Sequence, residues 1–279
     1  MKIAIIGVGN LGYSIALGVL GESQINFKSL YLSKRNTKTL NSFENFPKVT
    51  ITCDNKEAVK NSDIVILAVQ PGQLEPILKT VYDAIDPSRH TIISVIAGRS
   101  IEQIEKSLPA NVAIIRSMPN TAISVSQSMT CLSANTKGEK NIDSAKAIFN
   151  CLGSTKYIEE HLMQAATVIC ASGIAFWLRL IRASAQGAIQ LGFEADVAQE
   201  LSMQTAFGAA TLLMKSQGHP DQEFHKVTTP GGCTIAGLNE MENKGMSKAF
   251  IKGLIQSYEK INELKSSFGS SQLRSVTNS

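Results

Sequence analysis

Residues 3–12 read Ile-Ala-Ile-Ile-Gly-Val-Gly-Asn-Leu-Gly, and no other stretch of the chain points so directly to chemistry. The apolar run Ile3–Ile6 leads straight into Gly7, Gly9 and Gly12, a G-x-G-x-x-G spacing with Asn10 and Leu11 inside it. In a strand–turn–helix unit the first glycine allows the tight turn. The second lets the backbone approach a pyrophosphate, and the third lets helix and strand pack closely, while the helix N-terminus faces the anion. Glycine spacing alone is weak, but here an apolar run precedes it and a helical pattern, Leu11–Leu20, follows. A second cue follows the next apolar run, Leu30-Tyr31-Leu32, where the chain continues Ser33-Lys34-Arg35-Asn36. An NAD-selective site usually places Asp or Glu about 20 residues after the glycines to accept from the ribose 2′-hydroxyl. A carboxylate would repel a 2′-phosphate, whereas a hydroxyl and a guanidinium hold one by charge-assisted hydrogen bonds. These residues predict NADP(H) rather than NAD(H); the bland alternative is a solvated basic loop.

Three further segments end apolar runs: Ala68-Val69-Gln70-Pro71, Ser94-Val95-Ile96-Ala97-Gly98, and Arg116-Ser117-Met118-Pro119-Asn120-Thr121. In an open parallel sheet such carboxyl ends are where ligands bind, and here a nicotinamide would reach them. A fourth segment, Val227-Thr228-Thr229-Pro230-Gly231-Gly232-Cys233-Thr234, combines turn residues with hydroxyls. Taken alone it could be no more than an inter-helix turn.

The elements that must position these residues alternate in the first half. Strands are predicted at 2–7, 30–33, 49–53, 64–69, 91–95 and 112–116, with helical patterns at 11–20, 37–43, 56–61, 74–84 and 101–108. That alternation predicts a Rossmann-type, doubly wound parallel sheet covered on both faces. Two more strand-like pieces, 126–133 and 155–158, flank a helical 143–152 and extend one sheet edge. Beyond Glu160 the pattern is almost wholly helical, with long candidates at 162–191 and 194–216, a stop at Gly218-His219-Pro220, and further helices at 239–244 and 247–264. Residues 265–279 are Ser-rich and predict a loose tail. The expected domains are therefore 1–160, binding the dinucleotide, and 161–279, all-helical. A helical domain this small exposes a wide apolar face unless it dimerises, so a homodimer through 161–265 is expected; a higher oligomer of such dimers is compatible with it.

Composition narrows the classes. The 279 residues are 43% apolar and 18% charged, ordinary for a globular protein, and the net charge of +4 is too mild and scattered for a nucleic-acid surface. The five cysteines, 53, 131, 151, 170 and 233, form no C-x-x-C pair and mostly sit in apolar segments, which predicts buried free thiols. The four histidines have no metal-ligand spacing, so no metal is expected. Met1-Lys2 leads directly into the first strand, leaving no room for a signal peptide, and a cytoplasmic protein is expected. The most apolar stretch, 165–181, contains Arg179 and is shorter than the roughly 20 residues of a membrane span, so it predicts a buried helix and no membrane association.

The order G-x-G-x-x-G, Ala-Val-x-Pro, Met-Pro-Asn-Thr, His-Pro and Val-Thr-Thr-Pro-Gly-Gly-x-Thr-Ile-x-Gly-Leu resembles the pyrroline-5-carboxylate reductases over residues 1 to 265. Met118–Thr121 and Val227–Leu238 are its most specific pieces, supported by Gln204-Thr205-x-x-Gly208-Ala209-Ala210 and Leu238-x-x-Met241-Glu242-x-x-Gly245. The resemblance implies hydride transfer from NADPH to the imine carbon of 1-pyrroline-5-carboxylate, giving proline in the last step of its biosynthesis. It implies that Gly7, Gly9, Asn10, Leu11 and Gly12 hold the pyrophosphate, Ser33, Arg35 and Asn36 the 2′-phosphate, and that Asn55 lies near the adenosine ribose. Ala68, Val69, Gln70, Pro71, Ala97 and Asn120 would line the nicotinamide side. Gly231, Gly232, Cys233 and Thr234 would take the substrate, with the amides as a carboxylate nest and the Thr234 hydroxyl on the ring nitrogen as the catalytic contact. A second subunit's helical domain would complete the site.

The chain also departs from that family. A usual Ser-Gly-Ser-Gly-Pro-Ala-Tyr run reads Cys170-Ala171-Ser172-Gly173-Ile174-Ala175-Phe176, which removes or relocates a helix kink. A usual Glu-Ala-Leu reads Arg182-Ala183-Ser184 one turn after Arg179, and the lysine of Ala-Val-Lys-Pro is Gln70. Two other classes compete: a non-catalytic NADP-binding sensor, and a reductase of a related cyclic imine. A β-hydroxyacid dehydrogenase is excluded, because it needs a lysine on the long helix and none occurs between Lys156 and Lys215. If the departures are structural drift, Arg182→Glu leaves the kinetics with pyrroline-5-carboxylate unchanged; an altered substrate preference would instead place Arg182 in the site.

Overall fold

The computed structural model describes residues 1–21, 25–229 and 231–276, with side chains to residue 263. The chain divides into two compact units that meet in sequence between Ala171 and Ser172.

In the first unit, among the described residues, eight strands form one sheet: β1 (Lys2–Ile6), β2 (Ser29–Ser33), β3 (Val49–Thr52), β4 (Ile64–Leu67), β5 (Thr91–Ser94), β6 (Ala113–Met118), β7 (Ser128–Ala134) and β8 (Gly153–Tyr157). Their order is β3-β2-β1-β4-β5-β6-β7-β8. The pairs among β1 to β6 are parallel, β7 runs antiparallel to β6, and β8 runs parallel to β7. The helices are α1 (Asn10–Gly21), α2 (Asn55–Lys60), α3 (Leu74–Val81), α4 (Ile101–Glu105) and α5 (Ile142–Asn150). The unbroken apolar strands follow from burial on both faces. Ile64 and Ile66 of β4 pack on the side of Ile15, Val19, Ile148 and Phe149 from α1 and α5. Val65 and Leu67 pack on the opposite side with Leu74, Leu78 and Val81 of α3 and Ile104 of α4. Side chains alternate along the strand, and each face meets its own layer of helices. All six predicted parallel strands form, and the two extra pieces become β7 and β8 at one edge, as expected. Helix α4 stops short of the expected residue 108. Its last turn tightens, with Ser107 and Leu108 amides bonding back three residues (3.1 Å each), ahead of Pro109.

A short helix, α6 (Met163–Ala166), runs into a π-helical turn, Thr167–Ser172, and then into α7 (Gly173–Gln190). The irregularity thus precedes Ile174, where the family's proline would stand. In the second unit α7 is followed by α8 (Ala195–Ser216), α9 (Pro220–Val227), α10 (Cys233–Asn243) and α11 (Met246–Val276). Helix α8 stops at Gln217 in a left-handed conformation (φ 52°). His219 then caps α9, its Nδ1 accepting from the Asp221 amide at 3.3 Å, and Pro220 takes the first helical position, which suits its fixed φ. Of the stretch 265–279 expected as a loose tail, residues 265–276 continue α11, with no proline to interrupt them, and 277–279 lie outside the described residues.

Two expectations need correction. The helical stretch Glu160–Gln190 is not buried within this chain: Trp177 is 60% and Leu178 61% exposed. At 31 residues it is also long and apolar enough, by length and composition alone, to cross a membrane. Apolar composition reports a preference for burial and not the partner that supplies it. The cysteines are also less buried than expected. Cys131 is buried, Cys151 and Cys170 are half-buried, and Cys53 and Cys233 are exposed.

The glycine turn shows three different constraints. Gly7 has φ +92°, and a Cβ there would collide with the Val69 side chain and lie 2.8 Å from the Ala68 carbonyl oxygen. A Cβ on Gly12 would sit 2.6 Å from the Gly7 carbonyl oxygen, but one on Gly9 would meet nothing within 4 Å. Gly12 therefore serves packing, whereas Gly9 borders open space. Gly12→Ala is expected to cost about 1–3 kcal/mol of stability by overpacking. Gly9→Ala is expected to leave the denaturation midpoint unchanged while weakening NADPH binding. Equal effects of both on stability would contradict this division of roles.

Candidate functional site

The candidate site falls into two parts, one on each unit. In the first unit the strand order reverses direction between β1 and β4, and in such sheets the ligand crevice opens there, beyond the carboxyl ends. The Gly9 amide donates to the Gly7 carbonyl at 2.9 Å and closes the turn. The Tyr13 amide donates to the Gly9 carbonyl at 2.8 Å. The amides of Asn10, Leu11 and Gly12, the first in α1, therefore have no intrahelical partner. Across the crevice the Ala68 amide donates to the Ile6 carbonyl at 2.8 Å, which sets Ala68-Val69 beside Gly7.

At the end of β2 the structure separates residues that the sequence grouped. Ser33 is 1% exposed, and its hydroxyl donates to Asn55 Oδ1 at 2.6 Å. Asn55 opens α2, whose cap is Asp54, accepting from the Lys56 and Glu57 amides. The serine and asparagine expected on different parts of the cofactor are thus bonded to each other, 22 residues apart. Arg35 and Asn36 lie beyond them on the surface, and Asn36 Oδ1 accepts from the Lys38 amide at 3.2 Å. The Arg35 guanidinium is exposed, as is Lys38 three residues on.

The loops after β4, β5 and β6 lie along the same edge. Gln70 and Pro71 are exposed, and Gln70 forms a capping box with Gln73. Ala97 is exposed next to Gly98, whose φ is +76°. Arg99, which sequence reasoning did not single out, reaches from this loop to the Pro71 carbonyl (3.4 Å) and to Glu75 (3.7 Å). An exposed pair of this kind adds little stability, about 0–1 kcal/mol, but it fixes the spacing of two site loops. Asn120 is buried with both ends of its side chain in use: Oδ1 accepts from the Ala122 amide and Nδ2 donates to the Cys170 carbonyl, each at 3.0 Å. Behind it, Arg116 Nη1 lies 2.7 Å from Glu160 Oε1, which also accepts from the Ile101 amide at 3.2 Å. Removing either partner would strand a largely buried charge. Contacts spanning 44 or 50 residues leave no local sequence signal.

In the second unit Gly231 has φ +73°, and Gly232 is the N-cap of α10 with its amide donating to the Thr229 carbonyl at 3.0 Å. Pro230 lies outside the described residues. The Ala236 amide bonds to the Gly232 carbonyl at 3.3 Å. The amides of Cys233, Thr234 and Ile235 thus have no intrahelical partner, and among the described residues no side chain caps them. Cys233 and Thr234 are exposed. The expected nest is therefore an open helix N-terminus with a hydroxyl on its first turn. Arg179 and Arg182 are exposed on α7, while Phe176 and Trp177 pack on Phe250 with ring centroids 6.0 and 5.8 Å apart. Among the described residues no group of three or more His, Cys, Asp and Glu side chains is placed to hold a metal ion.

Comparison with known proteins matches this arrangement to one family. Residues 160–264 match the family model described as pyrroline-5-carboxylate reductase dimerisation, and residues 2–98 match one described as NADP oxidoreductase coenzyme F420-dependent. Pyrroline-5-carboxylate reductase 1 of Dictyostelium discoideum is 44% identical over 92% of this chain, which spans 49% of that relative's length. Pyrroline-5-carboxylate reductase 2 of the same organism is 38% identical over 93% of this chain and 91% of its own length. The solved pyrroline-5-carboxylate reductase of Coxiella burnetii superposes with a TM-score of 0.87 at 29% identity, covering 94% of this chain and 97% of that one. On its sequence, its two units and the extent of these matches, the chain belongs to the pyrroline-5-carboxylate reductase family.

Proposed function

We propose that this chain reduces 1-pyrroline-5-carboxylate to proline with NADPH, as a homodimer built through its helical unit. The observation that carries the reading is a pair of open helix N-termini. One starts α1 behind the clear space at Gly9, and the other starts α10 behind Gly232. Each offers free amides to an anion, the first to a pyrophosphate and the second to the substrate carboxylate. The residues present fit NADPH: the Gly9 space admits a diphosphate, and exposed Arg35 replaces the carboxylate that would repel a 2′-phosphate.

Bound NADPH supplies a hydride to the imine carbon. The chain's own residues hold and orient. The amides of Cys233, Thr234 and Ile235 bind the carboxylate. The Thr234 hydroxyl accepts from the protonated ring nitrogen, favouring the iminium form that takes up hydride. Ala68, Val69 and Ala97 would present an apolar edge to the nicotinamide. No covalent intermediate with the protein is required, so positioning carries most of the rate.

The dimer rests on exposed apolar side chains of the helical unit. Trp177, Phe207 (64%), Met214 (73%) and Ile251 (55%) lie open in a single chain, and a soluble monomer rarely keeps so many large apolar groups in water. Sedimentation is expected to give about 60 kDa, twice the 30.0 kDa chain, at micromolar concentration. A 30 kDa monomer, or partition into liposomes, would contradict it. Arg35→Ala is expected to raise KM for NADPH by roughly tenfold or more while leaving KM for NADH unchanged, the effect of one lost charge-assisted bond. Thr234→Val is expected to lower kcat with unchanged NADPH affinity. A loss of NADPH affinity in Thr234→Val, or equal losses for both cofactors in Arg35→Ala, would overturn the roles given to those residues.

A further inference from the structure

Cys131 and Cys170 are 39 residues apart in sequence, yet their sulfurs lie 3.9 Å apart. The two are held differently. Cys131 is fixed within β7, opposite Met118 of β6 and Lys156 of β8, and is 5% exposed. Cys170 lies in the π-helical turn Thr167–Ser172 and is half-buried, so it is the more accessible of the two. Its carbonyl is held by Asn120 Nδ2 at 3.0 Å. Both cysteines pack in a small apolar cluster with Met118 and Met163, whose flexible thioethers can repack around a moving sulfur.

The contact also makes the pair unequal. The sulfur–sulfur hydrogen bond with Cys131, in which either thiol can donate, pulls the Cys170 thiol below its ordinary value, against the opposing effect of burial. The same bond, together with burial, pushes Cys131 up. Exposure divides the labour in the same sense: half-buried Cys170 is the thiol placed to attack, and Cys131, buried in β7, the one placed to resolve.

We propose that Cys131 and Cys170 form a redox-active thiol pair, a modification site for hydroperoxides at which Cys170 is oxidised first and Cys131 closes the disulfide. In the first step the Cys170 thiolate attacks one peroxide oxygen. An S–O bond forms, the O–O bond breaks, and the departing oxygen takes up a proton as water or alcohol. In the second step the Cys131 sulfur attacks Cys170. The S–S bond forms, the S–O bond breaks, and the hydroxyl leaves as water with the Cys131 proton. Two thiols and one hydroperoxide give one disulfide, one water and one alcohol (a second water for hydrogen peroxide), with two electrons passing from sulfur to the peroxide. Forming a bond of about 2.05 Å requires the sulfurs to approach by roughly 1.9 Å. Rotation of the Cys170 side chain and adjustment of the π turn supply that movement, while β7 holds Cys131 still.

The test is mass mapping of the reduced full-length chain after treatment with one equivalent of hydrogen peroxide. The expected result is a loss of about 2 Da per chain, a peptide linking Cys131 to Cys170, and reversal by dithiothreitol. Cys131→Ser is expected to stop at a sulfenic acid on Cys170 that dimedone traps. Cys170→Ser is expected to form neither the linked peptide nor a trapped adduct at Cys131. A disulfide that joins two chains or uses Cys53 or Cys233, or peroxide uptake without the linked peptide in the wild-type chain, would overturn the proposal. The readout is mass and not turnover, so it stands or falls independently of the reductase reading.

Discussion

At the end of β1 the chain must reverse within a few residues and still leave three backbone amides facing outward. That is possible only where no Cβ intervenes. At Gly7 the left-handed φ turns the chain, and the missing side chain lets Ala68 and Val69 press against it. At Gly12 the missing side chain lets α1 lie on the turn itself. The remaining cofactor-edge features depend on this packing. It sets the direction of α1, and it brings the ends of β1 and β4 together at the point where strand order reverses. The loops after β4 and β5 are then held in register by Arg99. Because the amides and the clear space at Gly9 are built into the backbone, the anion site proposed there would need little reorganisation on binding.

The helical unit solves the same problem with less structure. Gly232 caps α10 without a side chain, so the first amides of that helix remain free, and Thr234 adds a hydroxyl on the same turn. A helix N-terminus shielded by its own cap would have no capacity left for a carboxylate. The unit surrounding this turn is stabilised incompletely by its own chain. Its aromatic contacts, Phe176 and Trp177 on Phe250, bury only part of α7. Trp177, Phe207 and Met214 stay largely exposed. Apolar area of that kind is the usual driving force for subunit association, and it lies in the same unit as the α10 N-terminus.

The sheet was legible because parallel strands buried on both faces read as unbroken runs such as Ile64–Leu67, and glycines or prolines mark their ends. The phosphate turn was legible because each of its glycines has a separate geometric reason. What sequence could not show were the contacts that pair distant residues: Ser33 with Asn55, Arg116 with Glu160, Asn120 with Cys170, and Cys131 with Cys170. These depend on strand order and on where the first unit ends, which no local spacing encodes. The exposure of 160–190 was misread for a related reason. An apolar helix looks the same whether its own chain or a second copy is to cover it.

The most direct test of this account is the loss of NADPH absorbance when the wild-type chain meets 1-pyrroline-5-carboxylate, with NADH run in parallel. The account predicts rapid turnover with NADPH, slower turnover with NADH, and proline as the product. Measurable NADPH binding with no turnover of pyrroline-5-carboxylate by either cofactor would contradict it.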